Sequence, residues 1–104
     1  MILKEYNADY PLIFEKEVEL LKETIHRGNT KYHHIGRTAI PYIFSKPVVD
    51  IAIELDGALL NKQDIERVTE LGYKFGDSNP NPHHQFFFKN LPRTDHLHFY
   101  PKGY

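Results

Sequence analysis

The spacing of apolar positions changes along the chain, and the changes mark out its elements. From Pro11 to His26, Phe14, Val18, Leu21 and Ile25 recur at helical spacing and form one apolar stripe. Pro11 suits the first helical position, where its missing N–H has no partner to lose, and Gly28 supplies a stop. From Val48 to Leu55 the period shortens to two. Val49, Ile51, Ile53 and Leu55 share one face, and Asp50, Ala52 and Glu54 share the other. The first face is expected to pack on helices and the second to look toward a cleft or solvent. A second helix is predicted from Asn61 to Leu71, with Asn61 as its N-cap and Gly72 after its end.

Shorter strands are predicted over Lys31–Ile35, Tyr73–Phe75, His84–Lys89 and Asp95–Tyr100. A breaker-rich turn with one helical turn covers Gly36 to Pro41, and Asp77 to Pro82 reads as a loop. The connection from Asn90 to Thr94 is short enough for a hairpin, so the strands around it should run antiparallel. In the last strand Leu97 and Phe99 face the core, with His96 and His98 on the other side. The order α, β, turn, β, α, β, β, β predicts an α/β (α+β) fold, a small mixed sheet with helices packed on one face. The expected core is Val18, Leu21, Ile25, Val49, Ile51, Ile53, Leu71, Leu97 and Phe99.

Length and composition narrow the class. A chain of 104 residues that is 40% hydrophobic is expected to form a single domain, residues 1–104, with one modest core. The net charge of -1 gives no global basic field, which argues against nucleic acid as the partner. No apolar run approaches the roughly 20 residues that span a bilayer, so no membrane partner is expected. The start lacks a signal-peptide pattern and there are no cysteines, which fits a cytoplasmic location.

Three segments carry candidate chemistry. His34-Ile35-Gly36-Arg37-Thr38-Ala39-Ile40-Pro41, followed by Lys46-Pro47-Val48-Val49-Asp50, combines a glycine turn, cationic side chains and a strand acid. Turn N–H groups with Arg37, Thr38 and Lys46 can hold phosphate, and Asp50 can hold a divalent metal beside it. Arg93-Thr94-Asp95-His96-Leu97-His98 places two histidines on one strand face, roughly 6 to 7 Å apart. That spacing suits a metal or an acid–base pair. Pro82-His83-His84-Gln85-Phe86-Phe87-Phe88-Lys89 puts three phenylalanines in one strand, so at least one lies outside the main core. Taken singly, each segment is also explained by an ordinary turn, a half-exposed strand, or core packing plus an interface.

Together these segments resemble the GrpB family: His34-Ile35-Gly36-x-Thr38-Ala39-Ile40-Pro41, Lys46-Pro47-Val48-Val49-Asp50-Ile51, and Arg93-x-x-His96-Leu97-His98. Tyr6, Tyr10-Pro11 and Phe14 are similar to that family's opening. The resemblance implies a nucleotidyltransferase-like fold. It implies catalytic roles for Asp50, His96 and His98, and a divalent metal cofactor on Asp50 and His98 with His96 as acid or base. It also implies substrate or phosphate contacts from His34, Gly36, Arg37, Thr38, Lys46 and Arg93. Arg37 stands where the family usually has serine. Ala52 stands where working nucleotidyltransferases carry a second acid, and His98 where they carry a third. One acid with two histidines suits a single transition metal better than a magnesium pair. The family usually continues with further helices after the His-x-His strand. Three readings follow: a nucleotidyltransferase-type enzyme on a small phosphorylated or nucleotide substrate, a non-catalytic binder of such a ligand, or a homo-oligomeric interaction module.

Overall fold

The computed structural model describes residues 3–76 and 83–103. The loop expected at Asp77–Pro82 lies outside the described residues. The first apolar stripe becomes the buried side of α1 (Tyr10–Thr24). Val18 and Leu21 are buried, Phe14 is half-buried, and Ile25 is buried just past the helix end. The helix stops two residues short of the expected His26. Ile25 takes an extended conformation while its N–H still donates to the Leu21 carbonyl at 2.8 Å. The change of direction keeps Ile25 on the core side, where a continued helix would carry the chain past the sheet.

Five strands follow in one sheet: β1 (Lys31–Ile35), β2 (Val49–Leu55), β3 (Tyr73–Phe75), β4 (Gln85–Lys89) and β5 (Asp95–Pro101). Their spatial order is β1-β2-β5-β4-β3. β2 and β5 pair parallel and every other neighbour is antiparallel, so the sheet is mixed as the pattern predicts. The parallel pair needs a long crossover, and the chain between them supplies it with α2 (Lys62–Glu70), β3 and β4. α2 begins at Asn61, whose side-chain oxygen accepts the Asp64 N–H at 2.8 Å, the expected cap.

Both helices lie on one face, against the row Val49, Ile51, Ile53 and Leu55 of β2 and the row Leu97 and Phe99 of β5. These six side chains are at most 1% exposed. Alternation along β4 divides the phenylalanine run. Phe87 is fully buried and Phe86 and Phe88 turn to the other face. One expected core residue changes place: Leu71 is half-buried at the edge of the cluster. The helix ends at Glu70, so Leu71 caps it and leaves the inward stripe, where Val68 is fully buried. Tyr10, Leu60, Tyr73 and Phe87 complete the core.

A buried polar cluster fastens α1 to the far strands. Glu17 accepts the Tyr73 hydroxyl at 2.6 Å and pairs with Lys89, whose ammonium lies 4.8 Å from the centre of the Tyr73 ring. Burial, then the Glu17 carboxylate, pushes the Tyr73 phenol well above its usual pKa. A buried anion is tolerated here because both a hydroxyl and a cation meet it.

The core assignment is open to a direct check. Ile51→Ala removes a fully buried side chain from β2 and should cost about 2–5 kcal/mol of stability. Urea denaturation should show a clear drop in midpoint. An unchanged midpoint would mean that the faces of β2 are reversed.

Candidate metal centre

The face of the sheet away from the helices collects the polar members of the alternating strands. In the parallel pairing Asp50 lies beside His96, and Ala52 beside His98. Asp50 Oδ1 is 3.0 Å from His96 Nδ1 and 3.4 Å from His98 Nε2. Ala52 carries only a methyl group, so on the β2 side nothing large stands beside His98 and its ring can lean toward Asp50, while Phe86 of β4 flanks it on the other side. The three side chains offer one ligand atom each within 4.8 Å of one another. Donors about 2.0–2.2 Å from a tetrahedral ion stand roughly 3.3 Å apart, close to the two distances measured here. One carboxylate and two imidazoles form a donor set for a transition metal, so the residues fit such an ion.

Gly36 makes the carboxylate's position available. Its φ is +76°, and a Cβ there would stand 2.7 Å from Asp50 Oδ2. Any side chain at this turn would push the carboxylate away, so glycine is needed both for its backbone conformation and for close approach. Burial acts to raise the pKa of Asp50, but hydrogen bonds from His96 and His98, and their charge, outweigh it. The carboxyl is held at about 2, down from 3.8. Asp50 is therefore ionised throughout the neutral range.

The turn itself is tighter than an anion cradle. Its helical part is a single 3-10 turn, Arg37–Ala39. Ala39 N–H donates to the Gly36 carbonyl and Ile40 N–H to the Arg37 carbonyl, so two of its donors are spent internally. Thr38 is buried, and its hydroxyl donates to the Val48 carbonyl at 3.2 Å. With that proton committed, His34 Nε2–H donates to Thr38 Oγ1 across 2.9 Å. His34 pairs in register with Ile51 on the helix side of the sheet and stacks on Phe14, ring centres 5.1 Å apart. Burial lowers its pKa, partly offset by Asp50. His34 and Thr38 thus pin the turn to β2, while the open side is left to other donors.

Those donors are Arg37 and Lys46. With Thr38, Ser45, Asp50 and His96 they line a cavity of about 320 Å³. Both cations are exposed at its rim. Arg93 is not among the lining residues. Its guanidinium lies 4.1 Å from the centre of the Phe88 ring and 5.9 Å from that of Phe86. Aromatic faces hold such a cation, and here they keep it over β4.

Reading single segments misses His84. Its Nε2 is 3.1 Å from His98 Nδ1, and its ring stacks on His98 and on Tyr100. Burial, then the neighbouring His98, lowers its pKa. The signal was present in the hairpin: β4 and β5 pair Phe86 with His98 and Phe88 with His96. The same alternation carries His84 to the face of the histidines.

The carboxylate also makes a prediction about acid stability. A carboxyl whose folded pKa is depressed adds stability that is present above its unfolded value and is lost as pH falls through the folded one. The stability difference between wild type and Asp50→Asn should therefore be present at about pH 5 and shrink as pH falls from 3.8 to about 2. Thermal melts across that range check it. A difference independent of pH would contradict the paired, ionised carboxylate.

Comparison with known proteins agrees with the architecture. A family model described as GrpB protein matches residues 1–104. The UPF0157 protein PA4798 of Pseudomonas aeruginosa is 30% identical over 97 residues, covering 88% of this chain and 40% of that protein. The UPF0157 protein YqkA of Bacillus subtilis is 32% identical over 99 residues, covering 94% of this chain and 29% of that protein. The chain thus spans less than half the length of these relatives. The crystal structure of conserved protein GrpB from Enterococcus faecalis superposes with a TM-score of 0.79 at 26% identity, over 98% of this chain and 62% of that one. A mixed sheet with the helices on one face, and a family match along the whole chain, lead to one conclusion: the chain belongs to the GrpB family.

Proposed function

We propose that Asp50, His96 and His98 hold a single transition-metal ion, and that Arg37 and Lys46 bring a small phosphorylated molecule or nucleotide to it. The observation that supports this most is the convergence of three ligand atoms, with Asp50 and His96 lining a cavity whose rim carries two cations and His98 behind them. Charge favours the combination. Asp50 lies against Gly36 and repels an incoming phosphate, so Arg37 and Lys46 alone meet the anion beside a fixed negative charge. A cation between carboxylate and phosphate turns that repulsion into two attractions. When bound, such an ion supplies Lewis acidity toward a phosphoryl oxygen.

The protein's own groups have separable tasks in this reading. Arg37 offers a forked set of donors and Lys46 a mobile charge, which together orient the phosphate. His96 serves as a ligand rather than as acid or base. Its Nδ1 faces Asp50, and its Nε2 is buried without a hydrogen-bond partner among the described residues, so no bonded route carries a proton from it to water. A nucleotidyltransferase-type transfer is the reaction this arrangement suits. Binding without turnover is the second reading, and Ala52 supports it: it stands where a second acid next to Asp50 would be, and Glu54 lies farther along the same face beside Tyr100, which leaves too few carboxylates for a metal pair.

Titration calorimetry with zinc and manganese should give one site per chain, lost in Asp50→Ala. A nucleoside phosphate should bind more tightly with metal present than without. Arg37→Ala and Lys46→Ala should each weaken the phosphate by roughly tenfold and leave the metal affinity unchanged. Release of pyrophosphate from a nucleoside triphosphate would favour transfer, and tight binding without release would favour capture. No heat with any metal or phosphate would contradict the proposal.

A further inference from the structure

We infer that His84 is the positioning residue of this site: through its hydrogen bond to His98 it sets the direction in which the His98 ring presents Nε2. The inference rests on the reading of Asp50, His96 and His98 as the centre of the site, and it concerns the group behind them. Asp50 Oδ1, His98 and His84 form a continuous line, with 3.4 Å from the carboxylate to His98 Nε2 and 3.1 Å from His98 Nδ1 to His84 Nε2. Both ring nitrogens of His98 are thereby engaged. The ring of His84 is itself clamped, 5.3 Å from the centre of His98 at 10° and 4.8 Å from that of Tyr100 at 14°.

The contrast with His96 shows what this adds. His96 also faces Asp50, but its second nitrogen has no hydrogen-bond partner among the described residues. Phe86 meets its ring edge-on at 5.1 Å and lies equally close to His98, so that packing is shared and the polar partner is what differs. His98 has the longer and looser contact to Asp50, and it is the one with a polar partner behind it. Imidazoles that ligate metals commonly donate their other N–H to an outer acceptor, which fixes tautomer and orientation.

The proton positions follow from this line. Without metal, the ionised Asp50 accepts Nε2–H of His98, and His98 Nδ1 accepts Nε2–H of His84. With an ion on His98 Nε2, the His98 proton resides on Nδ1 and is donated to His84 Nε2, and the His84 proton moves to its own Nδ1. Both rings change tautomer and neither changes charge. A hydrogen-bond partner limited to one role would oppose one of these two states, whereas imidazole serves both.

Three variants separate the hydrogen bond from the packing. His84→Phe keeps an aromatic ring against Tyr100 and removes the bond, His84→Gln restores a polar partner, and Tyr100→Leu removes the outer stack. Nitrogen-15 NMR of the metal-free proteins reads His98 directly. Wild type should show one dominant tautomer with both nitrogens hydrogen-bonded. His84→Phe should show Nδ1 unbonded, and His84→Gln should return it toward the wild-type position. Zinc affinity by competition with a chromogenic chelator should fall about 10- to 100-fold in His84→Phe and largely recover in His84→Gln, with Tyr100→Leu affected less. The cobalt absorption bands should shift in His84→Phe and return in His84→Gln. If wild type binds no metal but His98 still loses its bonded nitrogen in His84→Phe, the metal reading fails and the positioning role stands. Unchanged His98 resonances in a folded His84→Phe would overturn it, as would a loss of zinc affinity that His84→Gln does not repair.

Discussion

The parallel pairing of β2 with β5 is the constraint on which the rest of this structure depends. Its register sets Val49, Ile51, Ile53 and Leu55 beside Asp95, Leu97, Phe99 and Pro101, and Asp50 and Ala52 beside His96 and His98. One choice of register therefore builds the helix-packed core and the polar site together. A slip of one residue would send every side chain of a strand to the wrong face. It would bury charged groups against the helices and scatter the three ligand atoms. The same hydrophobic burial that secures the core thus brings the strands of the site into alignment, and local contacts then orient its side chains.

Within that frame, two small residues leave room for the site. Gly36 admits the Asp50 carboxylate to within a distance that a Cβ would not allow, and Ala52 leaves the β2 side of His98 open. The residues that hold the turn, His34 and Thr38, bond to each other, and Thr38 donates to the carbonyl of Val48, the residue just before β2. The site is thus layered. A fixed turn lies against the strand, the carboxylate and two imidazoles lie on the open face, and exposed cations stand at the cavity rim. Ionised Asp50 is the centre of its electrostatics, stabilised by two imidazole hydrogen bonds and repelling any anion that arrives without a cation.

Much of the fold was legible because periodicity reports burial. The alternation in Val49–Leu55 and in Leu97–Phe99 identified both central strands and their faces, and Asn61 marked the start of α2 through its capping oxygen. That same alternation puts Asp50, His96 and His98 on one face, and the parallel register of β2 with β5 brings them together. Leu71 was misplaced because helical periodicity does not report where a helix stops. Thr38 and His34 look like ligand donors in sequence, since a linear motif does not reveal which polar atoms the turn consumes. Arg93 follows the same logic, its cation held by Phe88 on an adjacent strand. His84 was obscured for a different reason: its partnership with His98 depends on hairpin register, a non-local property invisible in either segment alone.

The proposed centre makes Asp50, His96 and His98 three ligands of one ion. A crystal structure grown with cobalt, with data collected on both sides of its absorption edge, tests that most directly. One anomalous peak is expected on the open face, about 2.0–2.2 Å from an Asp50 oxygen, His96 Nδ1 and His98 Nε2. An anomalous map with no peak there, and with the carboxylate still bonded directly to both imidazoles, would contradict it.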